Sequence, residues 1–175
     1  MNINSIYLHA QKDGLLMSTD QEKFRTFRGY DVADRKDKQL TPSMEDYLEM
    51  IYRISLDNGF TRINDLAKAL NVKPPSATSM VQRLHNQKLL CYEKYGVVLL
   101  TERGQEVGHF LLKRHLMLEK FFLFIGVTND VLKNVERIEH NLTPEATRCL
   151  SLLVNYIEEN PTWFQSFQDY FKIEE

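Results

Sequence analysis

Residues 63–100 carry the pattern that most restricts how this chain can fold: two short helices joined by a tight turn and followed by a β-hairpin. The segment "INDLAKALN" repeats apolar residues at helical spacing, "VKPP" forms the turn, and Pro75 suits the start of a second helix in 76–90. β-favouring residues then flank a turn at Tyr95 and Gly96 in "CYEKYGVVLLT". This order predicts a winged helix-turn-helix, whose second helix enters the major groove of DNA. A generic small helical domain is the alternative.

Helical periodicity dominates the rest of the chain. Thr41 and Pro42 suit a helix start, Asn58 and Gly59 a helix end, and Thr101 can cap a long helix. The helices expected outside the winged unit lie at about 42–58, 102–125, 129–141 and 144–159 and in "WFQSFQDYF". The residues expected to form apolar faces on the first and the long helix are Met44, Tyr47, Leu48, Ile51, Ile54, Val107, Phe110, Leu111, Met117, Leu118, Phe121 and Phe122.

These elements predict a mainly α fold with three parts. Residues 1–40 lack a steady apolar period, so we expect an N-terminal extension whose role is unknown. Residues 41–108 form the winged helix-turn-helix DNA-binding domain, and residues 109–175 form an all-helical domain. The long helix, about 102–125, links the two domains.

The composition is that of a globular protein, with 43% hydrophobic and 26% charged residues. The longest apolar run, "FFLFIGV", is too short to span a bilayer, and the start of the chain lacks a secretory signal. Cys91 and Cys149 have no metal-type spacing, so we expect free thiols and a cytoplasmic protein. Residues 61–120 hold ten basic and five acidic residues, whereas 121–175 hold four and nine. A basic middle favours a polyanionic partner such as DNA.

The candidate DNA-contacting residues cluster at the start of the second helix of the winged unit. Small hydroxyl residues allow close approach to the groove, and amide or basic side chains can bond base edges and phosphates. The candidates are Lys73, Ser76, Thr78, Ser79, Gln82 and Arg83, together with Lys94 in the hairpin beside Tyr92 or Tyr95. A solvated helix face is the alternative for each of them.

Carboxylates and imidazoles recur at helical spacing in three segments. Asp46 and Glu49 share a face of the first helix, His115 lies on the long helix, and "VERIEH" carries Glu136, Glu139 and His140. Converging carboxylates repel one another unless a cation lies between them, so convergence would indicate a divalent metal. Solvated acidic edges and a two-metal carboxylate enzyme are the alternatives. The Glu-x-x-His pair that di-iron bundle enzymes carry on each of two helices is absent, which disfavours such an enzyme.

Five stretches resemble the diphtheria toxin repressor family: "TPSMEDYLEMIY", "KPPSATSMVQRL", "YEKYGVVLLTERG", "KRH" and "VERIEH". The similarity covers about residues 41–160 and is greatest for the manganese transport regulators. It implies a homodimer with an N-terminal winged helix and a helical dimerisation domain. It also implies that metal loading enables operator binding and represses metal-uptake genes. By position, the residues that match the metal ligands of the manganese branch are Asp46, Glu49, His115, Glu136, Glu139 and His140, which form two adjacent sites there.

Departures from the iron-responsive branch support the manganese branch. That branch has Met where this chain has Asp46, Cys where it has Glu136, and an ancillary His where it has Leu132. We also expect no SH3-like third domain of the kind that the iron-responsive branch carries. Carboxylate and imidazole ligands without thiolate suit Mn²⁺, and Cd²⁺, Fe²⁺ or Zn²⁺ are expected substitutes.

The sequence therefore predicts a manganese-responsive repressor rather than an enzyme. Its expected partners are a palindromic operator in double-stranded DNA and a second copy of the chain, without a membrane or an organic substrate. Candidate dimer residues are Phe121, Phe122, Leu150 and Leu153, although an intrachain core is the alternative for them. A winged-helix repressor that ignores metals remains the alternative function.

Overall fold

The computed structural model describes residues 40–92 and 96–173, and these residues are mainly helical. The elements in chain order are α1 (Pro42–Asn58), β1 (Thr61–Arg62), α2 (Ile63–Ala69), α3 (Pro74–Asn86), β2 (Leu90–Tyr92), β3 (Val97–Leu100), α4 (Glu102–Phe124), α5 (Val131–Ile138), a 3₁₀ turn (Glu139–Asn141), α6 (Pro144–Glu159) and α7 (Pro161–Ile173). The predicted fold class, a winged helix-turn-helix followed by a helical region, is confirmed. The predicted extension lies outside the described residues up to residue 39.

Local capping residues set the ends of the principal helices. The Thr41 hydroxyl accepts the N–H of Met44 at the start of α1, and Gly59 ends that helix with a left-handed φ of 75°. Thr101 accepts the N–H of Gly104 at 3.0 Å at the start of α4. Both helices therefore begin where the sequence predicts.

A three-stranded antiparallel sheet forms the wing, in the order β1-β3-β2. Leu90 pairs with Leu100 across the predicted hairpin, while Thr61 pairs with Val98 to add a third strand. Strand β1 is not predictable from the sequence because its two residues are too few to show an alternating pattern. Gly96 takes a φ of 74° at the end of the hairpin turn, whereas Lys94 and Tyr95 lie outside the described residues.

Two glycines let α4 lie close against the winged unit. A Cβ atom on Gly104 would lie 1.9 Å from the carbonyl oxygen of Leu89, and one on Gly108 would lie 2.7 Å from the side chain of Tyr52. Neither position has room for a larger side chain without a shift of its neighbours. The first part of the long helix therefore packs closely against the unit that carries α3.

The apolar core has two parts, and α4 contributes to both. Leu111 joins the core of the winged unit, whereas Met117 and Leu118 join a second core with Val135 and Val154. The residues of the winged unit that are most deeply buried are Leu48, Ile51, Leu66, Ala77, Val81, Leu84 and Val98. One continuous helix therefore links the two packed regions. None of the helices in the described ranges is both long enough and apolar enough to cross a membrane.

Three predicted details of the helices are wrong. The helix expected at 129–141 begins after Asp130, which has a left-handed φ of 56°, and it tightens into the 3₁₀ turn at Glu139. The helix expected to reach residue 90 ends at Asn86, because Lys88 has a φ of 60° and the chain then turns into β2. The last helix is longer than its aromatic residues suggested and begins at Pro161.

The predicted apolar face of α4 needs one correction, and the predicted dimer residues differ in their burial. Phe110 is 49% exposed, since it lies on the side of α4 that faces away from the core. Phe121, Phe122 and Leu150 are half-buried and pack against the second core of their own chain, the alternative that the sequence left open for them. Leu153 stays accessible at 39% exposure. The period of a long helix shows which residues are apolar but not which of its sides meets its own chain.

Candidate metal centre and DNA-contacting helix

The structure brings together all six residues of the predicted acidic and imidazole set. Asp46 and Glu49 project from α1, His115 from α4 and Glu136 from α5. Glu139 and His140 project from the 3₁₀ turn. They form two groups whose potential ligand atoms lie within 4.8 Å of one another, namely Asp46, Glu136, Glu139 and His140 in the first, and Glu49, His115 and Glu139 in the second. The α1 residues belong to the winged unit, so both groups join it to the helical region.

Glu139 belongs to both groups. Its side chain is only 2% exposed, and its Oε2 lies 3.2 Å from Nδ1 of His115. Its other oxygen, Oε1, lies 3.6 Å from Nε2 of His140. The two oxygens of one carboxylate therefore face two different imidazoles, which makes this residue the link between the groups.

In the first group the imidazole of His140 lies among acidic side chains. Its Nε2 donates to Oδ1 of Asp46 at 2.8 Å. Burial alone would lower the pKa of His140, but its hydrogen bonds to Asp46 and Glu45 outweigh burial and raise that pKa to about 9. Burial and the nearby Glu139 carboxylate raise the pKa of Glu136, although its side chain lies at the surface.

The second group is more deeply buried. Nδ1 of His115 lies 3.7 Å from Oε1 of Glu49, and the hydrogen bond to Glu139 raises the pKa of His115 against the opposing effect of burial. Glu49 is also paired with Arg53, whose Nη2 lies 2.7 Å from the same oxygen. This arginine is four residues further along α1, a spacing that could have revealed the pair.

Sequence reasoning missed Glu45 and Arg114. Oε2 of Glu45 accepts from Nη2 of Arg114 at 2.8 Å and from Nδ1 of His140 at 2.8 Å. Burial would raise the pKa of Glu45, but its hydrogen bonds to His140 and Arg114 lower it overall. These partners lie 69 and 95 residues away in the chain, so no local pattern could have revealed them.

The charges of this region balance only if positive charge is added. Five carboxylates face two guanidinium groups, those of Arg53 and Arg114. These carboxylates favour a positive charge on the nearby imidazoles, and hydrogen bonds to them raise the pKa of both His115 and His140. A divalent ion would supply the same charge. The donors of both groups are oxygen and nitrogen only, a set that fits Mn²⁺ and related ions, while Cys91 and Cys149 belong to neither group.

The predicted DNA-contacting residues occupy the start of α3. Lys73 is the N-cap residue, and Ser76, Ser79, Gln82 and Arg83 are exposed. The residues at 76, 79 and 83 follow helical spacing, so they share one face. Thr78 is half-buried, and its hydroxyl donates to the carbonyl of Pro74 at 3.0 Å, which leaves only its oxygen free to accept. The predicted hairpin contact at Lys94 lies outside the described residues.

Two family models match most of the described chain. Residues 39–98 match the N-terminal DNA-binding domain of the iron-dependent repressors. Residues 101–163 match the metal-binding and dimerisation domain of the same family. DNA, divalent metal and a second copy of the chain are therefore the partners that this domain pair implies.

Individual relatives agree with the family models. The chain is 42% identical over 130 residues to the HTH-type transcriptional regulator MntR of Geobacillus kaustophilus (strain HTA426), covering 74% of this chain and 92% of the relative. It is 45% identical over 123 residues to MntR of Shouchella clausii (strain KSM-K16), covering 70% and 86%.

Solved structures share the fold over a smaller part of their length. The manganese regulator SloR has a TM-score of 0.58 and 27% identity, with 67% of this chain matching 55% of that one. ScaR with bound Zn²⁺ has a TM-score of 0.54 and 28% identity, covering 65% of this chain and 54% of that one.

The curated relatives are transcriptional regulators, so the prediction of a regulator rather than an enzyme is confirmed. The chain therefore belongs to the diphtheria toxin repressor family of metal-dependent DNA-binding transcriptional regulators, and within it to the MntR branch.

Proposed function

We propose that this regulator responds to Mn²⁺ and represses metal-uptake genes by binding a palindromic operator as a homodimer in the cytoplasm. The observation that carries the proposal is the pair of acidic and imidazole groups that share Glu139. Each group combines side chains of the winged unit with side chains of the helical region. Similarity to the MntR regulators and to SloR supports manganese as the signal.

The two groups favour two ions per subunit. Asp46, Glu136, Glu139 and His140 would hold one, and Glu49, His115 and Glu139 would hold the other. A bound divalent ion supplies the positive charge that keeps these carboxylates close together. Zn²⁺, Cd²⁺ and Fe²⁺ accept the same donor atoms, so we expect them to compete with Mn²⁺, and affinity alone would follow the Irving–Williams order.

The same residues explain how metal binding can control DNA binding. Asp46 and Glu49 are fixed to α1, while His115, Glu136 and Glu139 are fixed to the helical region. Without added positive charge, repulsion among the carboxylates favours other orientations of the two parts. Holding the carboxylates together selects one orientation, with the α3 helices of the dimer about one DNA turn apart. The domain division near residue 108 stays a prediction of this proposal.

Titration of operator binding with metals tests this function directly. We expect the metal-free protein to bind operator DNA weakly and Mn²⁺ to raise its affinity by about 100-fold, the upper range of typical allosteric coupling. Fluorescence anisotropy with labelled operator DNA measures the change, with Fe²⁺, Zn²⁺ and Cd²⁺ in parallel and excess chelator as the control. Salt-dependent binding that is unaffected by every metal and by chelator would instead support a winged-helix repressor that ignores metals.

The outward side of α4 and α6 fits the second copy of the chain. Its exposed apolar residues are Phe110, Leu116, Leu123, Leu152 and Leu153, with exposures of 39% to 56%. Between the two helices lies an open cavity of about 650 Å³ whose lining includes Phe110, Leu116 and Val154. Exposed apolar patches mark protein interfaces, and both helices fall within the dimerisation domain. We therefore assign this side to the dimer interface.

Placing a charge on this surface should break the dimer. We expect Leu116→Glu to raise the dimer dissociation constant by about 100-fold, because burying an unpaired carboxylate costs several kcal/mol. Leu116 is 45% exposed and belongs to neither packed core of its own chain. Sedimentation equilibrium measures the change, with Leu56→Glu on α1, where the leucine is 61% exposed, as the matched control. A stable dimer of Leu116→Glu would place the interface elsewhere.

A further inference from the structure

Glu45 lies beside the metal centre but belongs to neither of its two groups. It projects from the first turn of α1, and its side chain is 13% exposed. Its Oε2 lies 2.8 Å from Nδ1 of His140, on the side of the ring opposite to the Asp46 contact. The two nitrogens of one imidazole are thus held by two successive residues of α1.

The two nitrogens of His140 each lie 2.8 Å from a carboxylate, but Nε2 faces Asp46 and Glu139 of the first ligand group, whereas Nδ1 faces Glu45, which belongs to neither group. Nδ1 lies 2.8 Å from the Glu45 carboxylate and 3.5 Å from Nη2 of Arg114. The guanidinium can only donate and the carboxylate can only accept, so the shorter contact requires an N–H at Nδ1. Loss of the other proton then leaves the lone pair of Nε2 directed at Asp46 and Glu139, 2.8 and 3.6 Å away.

Arg114 holds Glu45 in this position. Its side chain is 7% exposed, and its Nη2 donates to the same Oε2 of Glu45 at 2.8 Å. The arginine comes from α4, the neighbour of the ligand candidate His115. The carboxylate is therefore fixed from the helix that joins the two packed regions.

We propose that Glu45 is a positioning residue of the metal centre, whose carboxylate holds the Nδ1–H of His140 so that Nε2 is presented to the ion, with Arg114 orienting that carboxylate. Ligating histidines commonly donate their second ring N–H to a carboxylate, which sets the tautomer and raises the basicity of the ligand. The inference rests on the proposed function. It adds a third contact, besides Asp46 and Glu49, between the winged unit and the metal centre.

A role limited to helix stability does not account for Glu45. An acidic residue in the first turn interacts favourably with the helix dipole, and it does so from a solvated position. Glu45 instead has most of its surface buried, and it contacts two cationic side chains from outside α1. Glu45 therefore holds the His140 imidazole in addition to any effect on the stability of α1.

Metal affinity of Glu45 variants tests the proposal. Glu45→Met keeps the size and helix preference of the side chain but removes the acceptor, while Glu45→Gln keeps an acceptor oxygen and loses the charge. Competition of Cd²⁺ and Mn²⁺ against a fluorescent chelator measures affinity. We expect a loss of about 10- to 100-fold for Glu45→Met, the range for outer hydrogen-bond partners of ligands, and a smaller loss for Glu45→Gln. Glu106→Met, at an exposed position of α4, is the matched control and should change nothing.

Nuclear magnetic resonance of ¹⁵N-histidine protein loaded with ¹¹³Cd²⁺ gives a second test that a purely structural role would not affect. In the wild-type protein we expect cadmium coupling at Nε2 of His140 and a slowly exchanging proton at Nδ1. That proton should exchange rapidly in Glu45→Met. Coupling at Nδ1 in the wild type would overturn the proposal even if the variants failed to fold. Wild-type affinity in a folded Glu45→Met protein would overturn it too, whereas a wild-type protein that binds neither metal would overturn the proposed function instead.

Discussion

Replacing Glu139 by glutamine is expected to abolish metal-dependent operator binding. The buried carboxylate faces His115 with one oxygen and His140 with the other, so it belongs to both groups of candidate ligands. A neutral amide removes the only negative charge that the two groups share. Its NH₂ group also replaces one of the two oxygens, so a hydrogen-bond donor faces one of the imidazoles. We expect the Mn²⁺ affinity to fall by more than about 100-fold, beyond the loss typical of an outer hydrogen-bond partner. Operator affinity in the presence of Mn²⁺ should then equal that of the metal-free protein.

Comparison with Glu136→Ala distinguishes the loss of one bound ion from the loss of both. Glu136 lies at the surface of α5 and belongs to the first group only. The chelator competition assay should therefore count one ion per subunit for Glu136→Ala and none for Glu139→Gln, against two for the wild type. Glu145→Gln, in the exposed first turn of α6, is the control for loss of one negative charge. Two ions bound by Glu139→Gln would show that the two groups do not share this carboxylate.

Helix ends were predictable wherever a nearby side chain determines them. Thr41 and Thr101 accept N–H groups three residues ahead, and Gly59 takes a left-handed conformation that other residues rarely adopt. The end of α5 differs because no capping residue marks it. The chain passes through a 3₁₀ turn at Glu139–Asn141 before α6 begins at Pro144, and such turns are frequent at the ends of α-helices.

The candidate ligands were predictable only in part from spacing. Asp46 and Glu49 share a helical face, but nothing local connects them with His115 or with the 3₁₀ turn; the resemblance to a family made that connection. Glu45 escaped notice because adjacent helical residues point in directions about 100° apart, which suggests separate roles. An imidazole, however, has nitrogens on opposite sides of its ring. His140 can therefore contact Glu45 and Asp46 at once, each at 2.8 Å.

The dimer surface was also predictable only in part from the sequence. The sequence identified apolar residues on the long helix, but the side that meets the second core depends on how α6 packs against α4. Met117 and Leu118 turn inward, while the neighbouring Leu116 turns outward at 45% exposure. Only tertiary packing separates the residues that fold the chain from those available to a second copy.

Replacing Ser79 by glutamate should abolish operator binding without affecting metal binding. Ser79 is exposed on the face of α3 that also carries Ser76 and Arg83, and this helix is the expected major-groove helix of the winged unit. A carboxylate there would lie close to the phosphates and base edges, and its repulsion and desolvation should weaken binding by about 100-fold or more. Anisotropy titration of Mn²⁺-loaded protein with labelled operator DNA measures the loss.

The same charge change at a distant position distinguishes direct contact of Ser79 with DNA from general repulsion between the protein and the phosphates. Gln168→Glu, at an exposed position of α7, changes the net charge by the same amount far along the chain from α3 and should leave operator affinity nearly unchanged. Both variants should bind Mn²⁺ as the wild type does, because neither residue belongs to the two ligand groups. Wild-type operator affinity in Ser79→Glu would mean that another surface contacts DNA. Loss of metal binding in that variant would mean that a change in α3 disturbs the metal centre. It would contradict the assignment of DNA contact to Ser79 and of metal binding to Glu139.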